Sequence, residues 1–184
     1  MALILDTRFL LAHAFPPSRE DREMLLEFQR RLAKETLLIP SIVVAEFIKV
    51  AGPGLGLAAA KAAVRNWVRA GARVSEIAWE DAEKAGEYLL KMPEVPIADA
   101  LIAAQAARFS ATAVSDDHHF RALGVRVTWY KRYARTSTTA SRRRALDEQK
   151  GAGCPSTSSH RRSPNRLNYL KLDGDLSRPR APRT

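Results

Sequence analysis

Short apolar runs alternate with longer helical patterns through the first 130 residues, and this alternation constrains the fold more than any other feature. Each run has the length of a buried strand, and together they cover residues 2–6, 36–39, 74–77, 111–115 and 125–128. Parallel strands need crossover connections, which are usually helices. The sequence therefore predicts an α/β fold in which helices cover both faces of a short, mostly parallel sheet.

Helix start and stop signals fall between these runs. Thr7, Ser18 and Ser41 have the residue types and positions of N-caps for the first three helices. The sequence Gly52-Pro53-Gly54 predicts the end of the third helix. Four further helical segments are predicted over residues 55–70, 80–91, 96–109 and 117–123.

Carboxylates stand where apolar segments meet turns or helices. Asp6 ends the first run, the pair Asp116-Asp117 follows the fourth, and Asp99 lies in the first turn of a helix opened by Pro96. Glu46 lies beside the apolar stripe of the third helix. Ligands of parallel sheets collect beyond the carboxyl ends of the strands, so these acids are expected to meet there.

Clustered carboxylates repel one another, and burying them costs free energy unless a cation compensates the charge. The set of candidate positions contains only acids, with no lysine or arginine among them to balance the charge. Carboxylate oxygens are the ligands that hard divalent cations prefer. The pattern therefore predicts a metal site.

The net charge of +10 is unevenly distributed along the 184 residues. Residues 1–130 hold 16 Lys/Arg and 16 Asp/Glu, whereas residues 131–184 hold 14 and 4. Apolar periodicity also stops near Tyr133. The sequence therefore predicts a folded domain over residues 1–131 and a basic, disordered tail over residues 132–184.

Two interpretations of the tail stay open. A solvated basic arm would add salt-dependent affinity for RNA. Alternatively, the abrupt loss of patterning and the enrichment in Arg, Ser, Thr and Pro suit a shifted reading frame.

The single cysteine, Cys154, excludes an intramolecular disulfide and a cysteine-based metal site. No apolar run approaches the roughly 18 residues that span a bilayer, and the first residues lack a signal-peptide pattern. We therefore expect a cytoplasmic protein with no membrane partner.

Other catalytic classes lack their signatures. The glycines around Pro53 follow a helix without the spacing of a dinucleotide fingerprint, and no Gly-x-Ser-x-Gly occurs. Four aromatic residues are scattered among apolar neighbours, which favours packing over base stacking. They are Trp67, Trp79, Trp129 and Tyr130.

Four segments carry a resemblance to a known family. They are Leu5-Asp6-Thr7, Ser41-Ile42-Val43-Val44-Ala45-Glu46-Phe47, Ile97-Ala98-Asp99-Ala100-Leu101-Ile102-Ala103-Ala104 and Val114-Ser115-Asp116-Asp117-His118-His119-Phe120. In order and spacing they resemble the acidic motifs of PIN-domain ribonucleases, particularly the VapC-type toxins. The resemblance spans residues 1 to about 130.

The resemblance implies a three-layer α/β/α sandwich whose acidic quartet binds Mg²⁺ or Mn²⁺ and hydrolyses RNA phosphodiester bonds. Carried over by position, the catalytic and metal-binding residues are Asp6, Glu46, Asp99 and Asp117, with Asp116 as a further candidate ligand. We assign Asp6 and Asp99 as the core ligands. Glu46 and Asp117 are then outer or second-metal ligands that orient water.

Neighbouring residues have weaker assignments. Arg8 is a candidate phosphate contact, and Thr7 and Ser115 are candidates for substrate binding, with local capping as the favoured alternative for both. His118 and His119 fit an exposed turn better than acid–base catalysis.

The leading hypothesis is thus a divalent-metal-dependent endoribonuclease, as the toxin of a toxin–antitoxin pair. The alternative is a non-catalytic PIN-like module that binds RNA or a protein. The resemblance further implies an antitoxin partner and a homodimer.

Overall fold

A computed structural model describes residues 1–131, in which five strands form one parallel sheet. The strands are β1 (Ala2–Leu5), β2 (Thr36–Pro40), β3 (Arg73–Ser75), β4 (Thr112–Val114) and β5 (Val127–Thr128). Their order is β3-β2-β1-β4-β5, and every neighbouring pair is parallel. The predicted parallel sheet is confirmed, whereas the predicted tail over residues 132–184 lies outside the described residues.

Seven helices connect the strands within this range. They are α1 (Thr7–Ala14), α2 (Arg19–Leu32), α3 (Ser41–Leu55), α4 (Leu57–Arg69), α5 (Trp79–Lys91), α6 (Ile97–Arg108) and α7 (His118–Ala122). In the central strand β1, Leu3, Ile4 and Leu5 are all 3% exposed or less. Successive side chains point to opposite faces, so helices cover both faces and the three-layer sandwich is confirmed. No helix in residues 1–131 is long and apolar enough to cross a bilayer.

Two predicted N-caps were wrong because the helices begin directly at strand ends. Ser18 caps α2 as expected, since its Oγ accepts a hydrogen bond from the Asp21 N–H at 2.9 Å. In α1, however, Asp6 occupies the N-cap position and Thr7 is already helical. Pro40 likewise precedes α3 and places Ser41 inside the helix.

The third helix does not end at Gly52-Pro53-Gly54 as predicted. It continues to Leu55 with Pro53 inside the last turn, and Gly56 ends it with a φ of 84°. Proline removes one backbone donor near the end of the helix, where the remaining turn is held by the Gly56 N–H to Gly52 carbonyl bond at 2.8 Å. The chain then turns through Gly56 into α4.

The third strand is shifted from its predicted range of residues 74–77. It begins at Arg73 and ends at Ser75, which pairs with Pro40, the last residue of β2. Residues beyond Ser75 have no strand partner in the neighbouring β2. The earlier end of β3 therefore follows from the length of β2.

Aromatic side chains from several helices pack around Phe9, which has no exposed surface. Its ring centroid lies 5.8 Å from that of Phe28, 5.7 Å from that of Trp67 and 6.2 Å from that of Trp129. The packing role predicted for Trp67, Trp129 and Tyr130 is confirmed by their burial. The same prediction was wrong for Trp79, which is 74% exposed at the start of α5.

A buried carboxylate joins α5 to α6. Asp81 is 1% exposed and accepts two hydrogen bonds from Arg108, from Nε to Oδ1 and from Nη2 to Oδ2, each at 2.8 Å. Its Oδ2 also accepts the Ala78 N–H at 2.8 Å, which caps α5. Gln105 of α6 completes the group by accepting a hydrogen bond from Ser75 at the end of β3.

Replacing Asp81 by Ala is expected to lower the free energy of unfolding by about 2–4 kcal/mol, because the change removes a helix cap and leaves Arg108 without its partner. Urea unfolding followed by circular dichroism measures the change. Glu80→Ala, at the exposed neighbouring position, is the matched control and should stay within about 0.5 kcal/mol of the wild type. An equal loss in both variants would contradict this role for Asp81.

Candidate active site

The site is built where β1 and β4 end side by side. Leu5 and Val114 are paired in register, so the residues that follow them, Asp6 and Ser115, are neighbours. Ser115 is fully buried, and its Oγ donates a hydrogen bond to Asp6 Oδ2 at 2.6 Å. The same Oγ accepts the Asp117 N–H at 3.0 Å. Ser115 therefore orients the first acid and also holds the turn that carries Asp117.

Glu46 reaches this edge from α3. The Oγ1 of Thr7, in the first turn of α1, donates a hydrogen bond to Glu46 Oε2 at 2.7 Å. Thr7 is 8% exposed, so the contact is largely shielded from water. The capping role favoured for Thr7 was wrong, because its hydroxyl binds a carboxylate on another helix instead.

Asp99 reaches the same edge from α6, and the side chain of His119 contacts both Asp99 and Asp117. The Nδ1 of His119 lies 3.1 Å from Asp99 Oδ2 and 2.9 Å from Asp117 Oδ1. Asp117 also accepts the backbone N–H of His119 at 3.0 Å, so it caps the short helix α7. One imidazole therefore bridges two of the four predicted ligands.

The two histidines differ in their surroundings. The side chain of His118 is 83% exposed and fits the predicted exposed turn, whereas that of His119 is only 19% exposed. The interpretation of His119 as a turn residue was therefore wrong. Its place two residues after Asp117, at the start of a helix on the same sheet edge, is the sequence signal that could have revealed it.

Arg8 and Asp116 lie at the outer side of the cluster. The Nη1 of Arg8 is 3.0 Å from Asp117 Oδ2, and its Nε is 2.9 Å from Asp116 Oδ1. Their side chains are 55% and 41% exposed, which leaves both accessible to solvent. Arg8 therefore places a positive charge beside Asp116 and Asp117.

The quartet is electrostatically coupled. Burial, together with the charges of Asp99 and Glu46, raises the pKa of Asp6 to about 6 against the lowering effect of the Ser115 hydrogen bond. Burial likewise raises the pKa of Asp99, and the charge of Asp117 adds to the effect. For Asp117, the His119 N–H and Arg8 outweigh the opposing effect of burial and lower its pKa. The structure therefore brings Asp6, Glu46, Asp99 and Asp117 into one charged group.

This donor set fits a hard divalent cation. The four side chains present carboxylate oxygens, and two of them, Asp6 and Asp99, are disfavoured as anions where they stand. A bound cation would relieve that cost, which is the usual effect of a metal ion on the pKa values around it. Oxygen ligands of this kind are those of Mg²⁺ and Mn²⁺ sites.

The family model for the PIN domain matches residues 3–125. The chain belongs to the PIN domain family. The matched range contains all four members of the quartet together with Arg8 and His119. Among curated proteins, none matches the sequence of this PIN domain.

Solved structures share its fold. A chain of VapBC2 from Rickettsia felis, bound to a DNA fragment from its promoter, is 18% identical, with a TM-score of 0.59 over 70% of this chain and 98% of that one. A chain of DNA-bound VapBC from Salmonella typhimurium is 20% identical, with a TM-score of 0.58 over 71% and 98%. VapC20 from Mycobacterium tuberculosis, described as a toxin that cleaves the sarcin-ricin loop, is 21% identical, with a TM-score of 0.55 over 67% and 95%. The fold of this PIN domain is therefore that of VapC toxins.

Proposed function

We propose that this PIN domain is a divalent-metal-dependent endoribonuclease and the toxin of a toxin–antitoxin pair. The observation that carries the proposal is the convergence of Asp6, Glu46, Asp99 and Asp117 from four separate segments onto one sheet edge, where their charges are coupled. Membership of the PIN domain family and the fold shared with VapC toxins support it.

An RNA phosphodiester is anionic and resists attack by water, so a catalyst must offset its charge and supply a nucleophile. Bound Mg²⁺ or Mn²⁺ would supply both, by neutralising charge on the phosphate and providing hydroxide near neutral pH. Asp6 and Asp99 would be the core ligands of that ion, and Asp116 is the most exposed candidate ligand.

The chain's own hydrogen bonds prepare this arrangement. Ser115 holds Asp6 and Thr7 holds Glu46, so neither carboxylate has to be ordered when substrate arrives. Glu46 and Asp117 would accept hydrogen bonds from the attacking water and orient it toward the phosphorus. His119 keeps Asp99 and Asp117 facing the same position.

The proposal is tested by incubating the purified 184-residue chain with single-stranded and structured RNA in Mg²⁺, in Mn²⁺ and in EDTA. We expect internal cleavage with either metal and none in EDTA. Divalent-ion binding without cleavage of any RNA would instead support the non-catalytic binding module.

Arg8 is the proposed phosphate contact. Replacing Arg8 by Gln is expected to raise KM for RNA several-fold, with a smaller effect on kcat, because the cation attracts the substrate backbone before the chemical step. The slope of log KM against log salt should become shallower by about one. Steady-state cleavage at several salt concentrations measures both quantities. Arg73→Gln, at an exposed strand residue, is the control, and an equal change in both variants would contradict the assignment.

Protein partners are proposed from exposed apolar side chains. Val50, Leu57, Val68, Leu90 and Ile97 are all more than 40% exposed on the helices. Where exposed apolar side chains lie together, they typically form a surface that a partner covers. An antitoxin and a second copy of the chain are the partners that we propose, and light scattering of the purified protein would distinguish a monomer from a dimer.

A further inference from the structure

We infer that Asp117, His118 and His119 form a second metal site, one that takes a borderline cation such as Zn²⁺ or Co²⁺ rather than Mg²⁺. These residues can each present a ligand atom, and the three atoms lie within 4.8 Å of one another. Imidazole nitrogen suits Zn²⁺ and Co²⁺, whereas Mg²⁺ prefers oxygen ligands alone. The two kinds of site therefore differ in chemistry while sharing Asp117.

The spacing of the ligand atoms supports the inference. In a tetrahedral zinc site with bonds of about 2.0–2.1 Å, two ligand atoms are about 3.3 Å apart. The Nδ1 of His118 lies 3.3 Å from Asp117 Oδ1, and the Nδ1 of His119 lies 2.9 Å from the same oxygen. The two rings are also close, with centroids 4.1 Å apart. Both distances to the Asp117 oxygen are therefore close to those of a chelating arrangement.

The surroundings supply an entry path and a second carboxylate beside His119. Asp99 Oδ2 lies 3.1 Å from the His119 Nδ1, so a second carboxylate faces the same nitrogen. The side chain of His118 is 83% exposed and free to adjust onto an ion arriving from solvent. Asp117 is held by Arg8 through its other oxygen, Oδ2, which leaves Oδ1 directed toward the histidines.

The consequence for activity rests on the proposed nuclease function. A Zn²⁺ ion bound by the histidines would draw Asp117, and with it Asp99, away from the cation that supports cleavage. Zn²⁺ at low concentration should therefore inhibit cleavage that is measured in excess Mg²⁺. The site would act as an inhibitory sensor for borderline metals.

Binding is tested first, without any measurement of activity. The untagged, metal-free chain of 184 residues is titrated with Co²⁺, whose visible absorption intensifies on tetrahedral coordination by nitrogen and oxygen. We expect one equivalent to bind, Zn²⁺ to displace it, and His118→Asn to weaken binding at least about 10-fold. Circular dichroism verifies that the exposed His118 position tolerates the change. Two control variants remove other metal-binding groups that lie outside the described residues. Cys154→Ser removes the thiol and His160→Asn removes an imidazole, and both variants should bind Co²⁺ as the wild type does.

The outcomes separate this inference from the proposed function. A Co²⁺ spectrum that survives His118→Asn but is lost in Cys154→Ser or His160→Asn would overturn the site. Absence of the spectrum, in a protein whose melting temperature still rises with Mg²⁺, would overturn the histidine site and leave the nuclease proposal intact. If Mg²⁺ also fails to bind, both are overturned. In the activity assay, His118→Asn should raise the Zn²⁺ concentration for half-inhibition at least about 10-fold, and an unchanged value would contradict the inhibitory role.

Discussion

Replacing Asp99 by Asn is expected to lower the rate of RNA cleavage by at least about 10²-fold. The amide has the size of the carboxylate and can still hydrogen-bond to His119, so the fold should persist. It removes one negative charge and one hard anionic ligand from the centre of the quartet. Cleavage of a labelled RNA in Mn²⁺ and in Mg²⁺ measures the loss, and thermal unfolding verifies that the variant is folded.

The control is Glu83→Gln, which removes the same charge from an exposed position on α5. Its cleavage rate should equal that of the wild type. If Asp99→Asn retains wild-type activity, Asp99 is not a metal ligand and the nuclease mechanism proposed for the quartet is wrong. If cleavage continues in EDTA, the activity belongs to a contaminating nuclease or needs no metal.

Replacing Asp6 by Asn is expected to make the metal-free protein more stable at pH 8. The pKa of Asp6 is raised from 3.8 to about 6 by burial and by its acidic neighbours. A raised pKa favours folding below the unfolded value, and this contribution is lost as the pH rises through the folded value. At pH 8 the ionised carboxylate therefore costs about 3 kcal/mol that an amide does not incur.

Urea unfolding in EDTA at pH 8 and pH 5 measures this difference. The variant should unfold at higher urea concentration at pH 8, and its advantage should fall to roughly half at pH 5 as Asp6 becomes protonated. A variant that is less stable than the wild type at both pH values would show that Asp6 has a structural role instead.

Metal reverses the order of stability. A ligand at 1,000 times its Kd stabilises the folded state by about 4.1 kcal/mol, which exceeds the cost of about 3 kcal/mol for ionised Asp6. Excess Mg²⁺ should therefore stabilise the wild type while leaving Asp6→Asn nearly unchanged. The paired measurements distinguish a carboxylate retained for metal binding from one retained for packing.

The strand and helix order could be predicted from local patterns, since apolar runs of strand length and amphipathic periods are properties of neighbouring residues. The boundaries could not be predicted as well. The end of β3 depends on where β2 stops pairing with it, and the continuation of α3 past Pro53 depends on the Gly56 N–H to Gly52 carbonyl bond that holds its last turn. The exposure of Trp79 depends on which surfaces the other helices leave uncovered.

The acids of the candidate site were recognisable one by one: Asp6 and Asp117 follow strands, Asp99 opens a helix, and Glu46 lies beside the apolar stripe of α3. The contacts that these acids make could not be recognised from the sequence. Thr7 binds Glu46 across 39 residues of sequence, and Ser115 binds Asp6 across 109. Arg8, a candidate phosphate contact, pairs with Asp116 and Asp117, and no local pattern indicated these ion pairs.

The sequence by itself determined the α/β class, the order of the elements and the four carboxylates, since these follow from short-range periodicity and from residue type. Only the tertiary structure decided that His119 bridges Asp99 to Asp117 and that Ser115 holds Asp6. Hydrogen bonds depend on distances of about 3 Å and on direction. Such distances between remote residues are set by how the helices pack on the sheet, which no local pattern encodes.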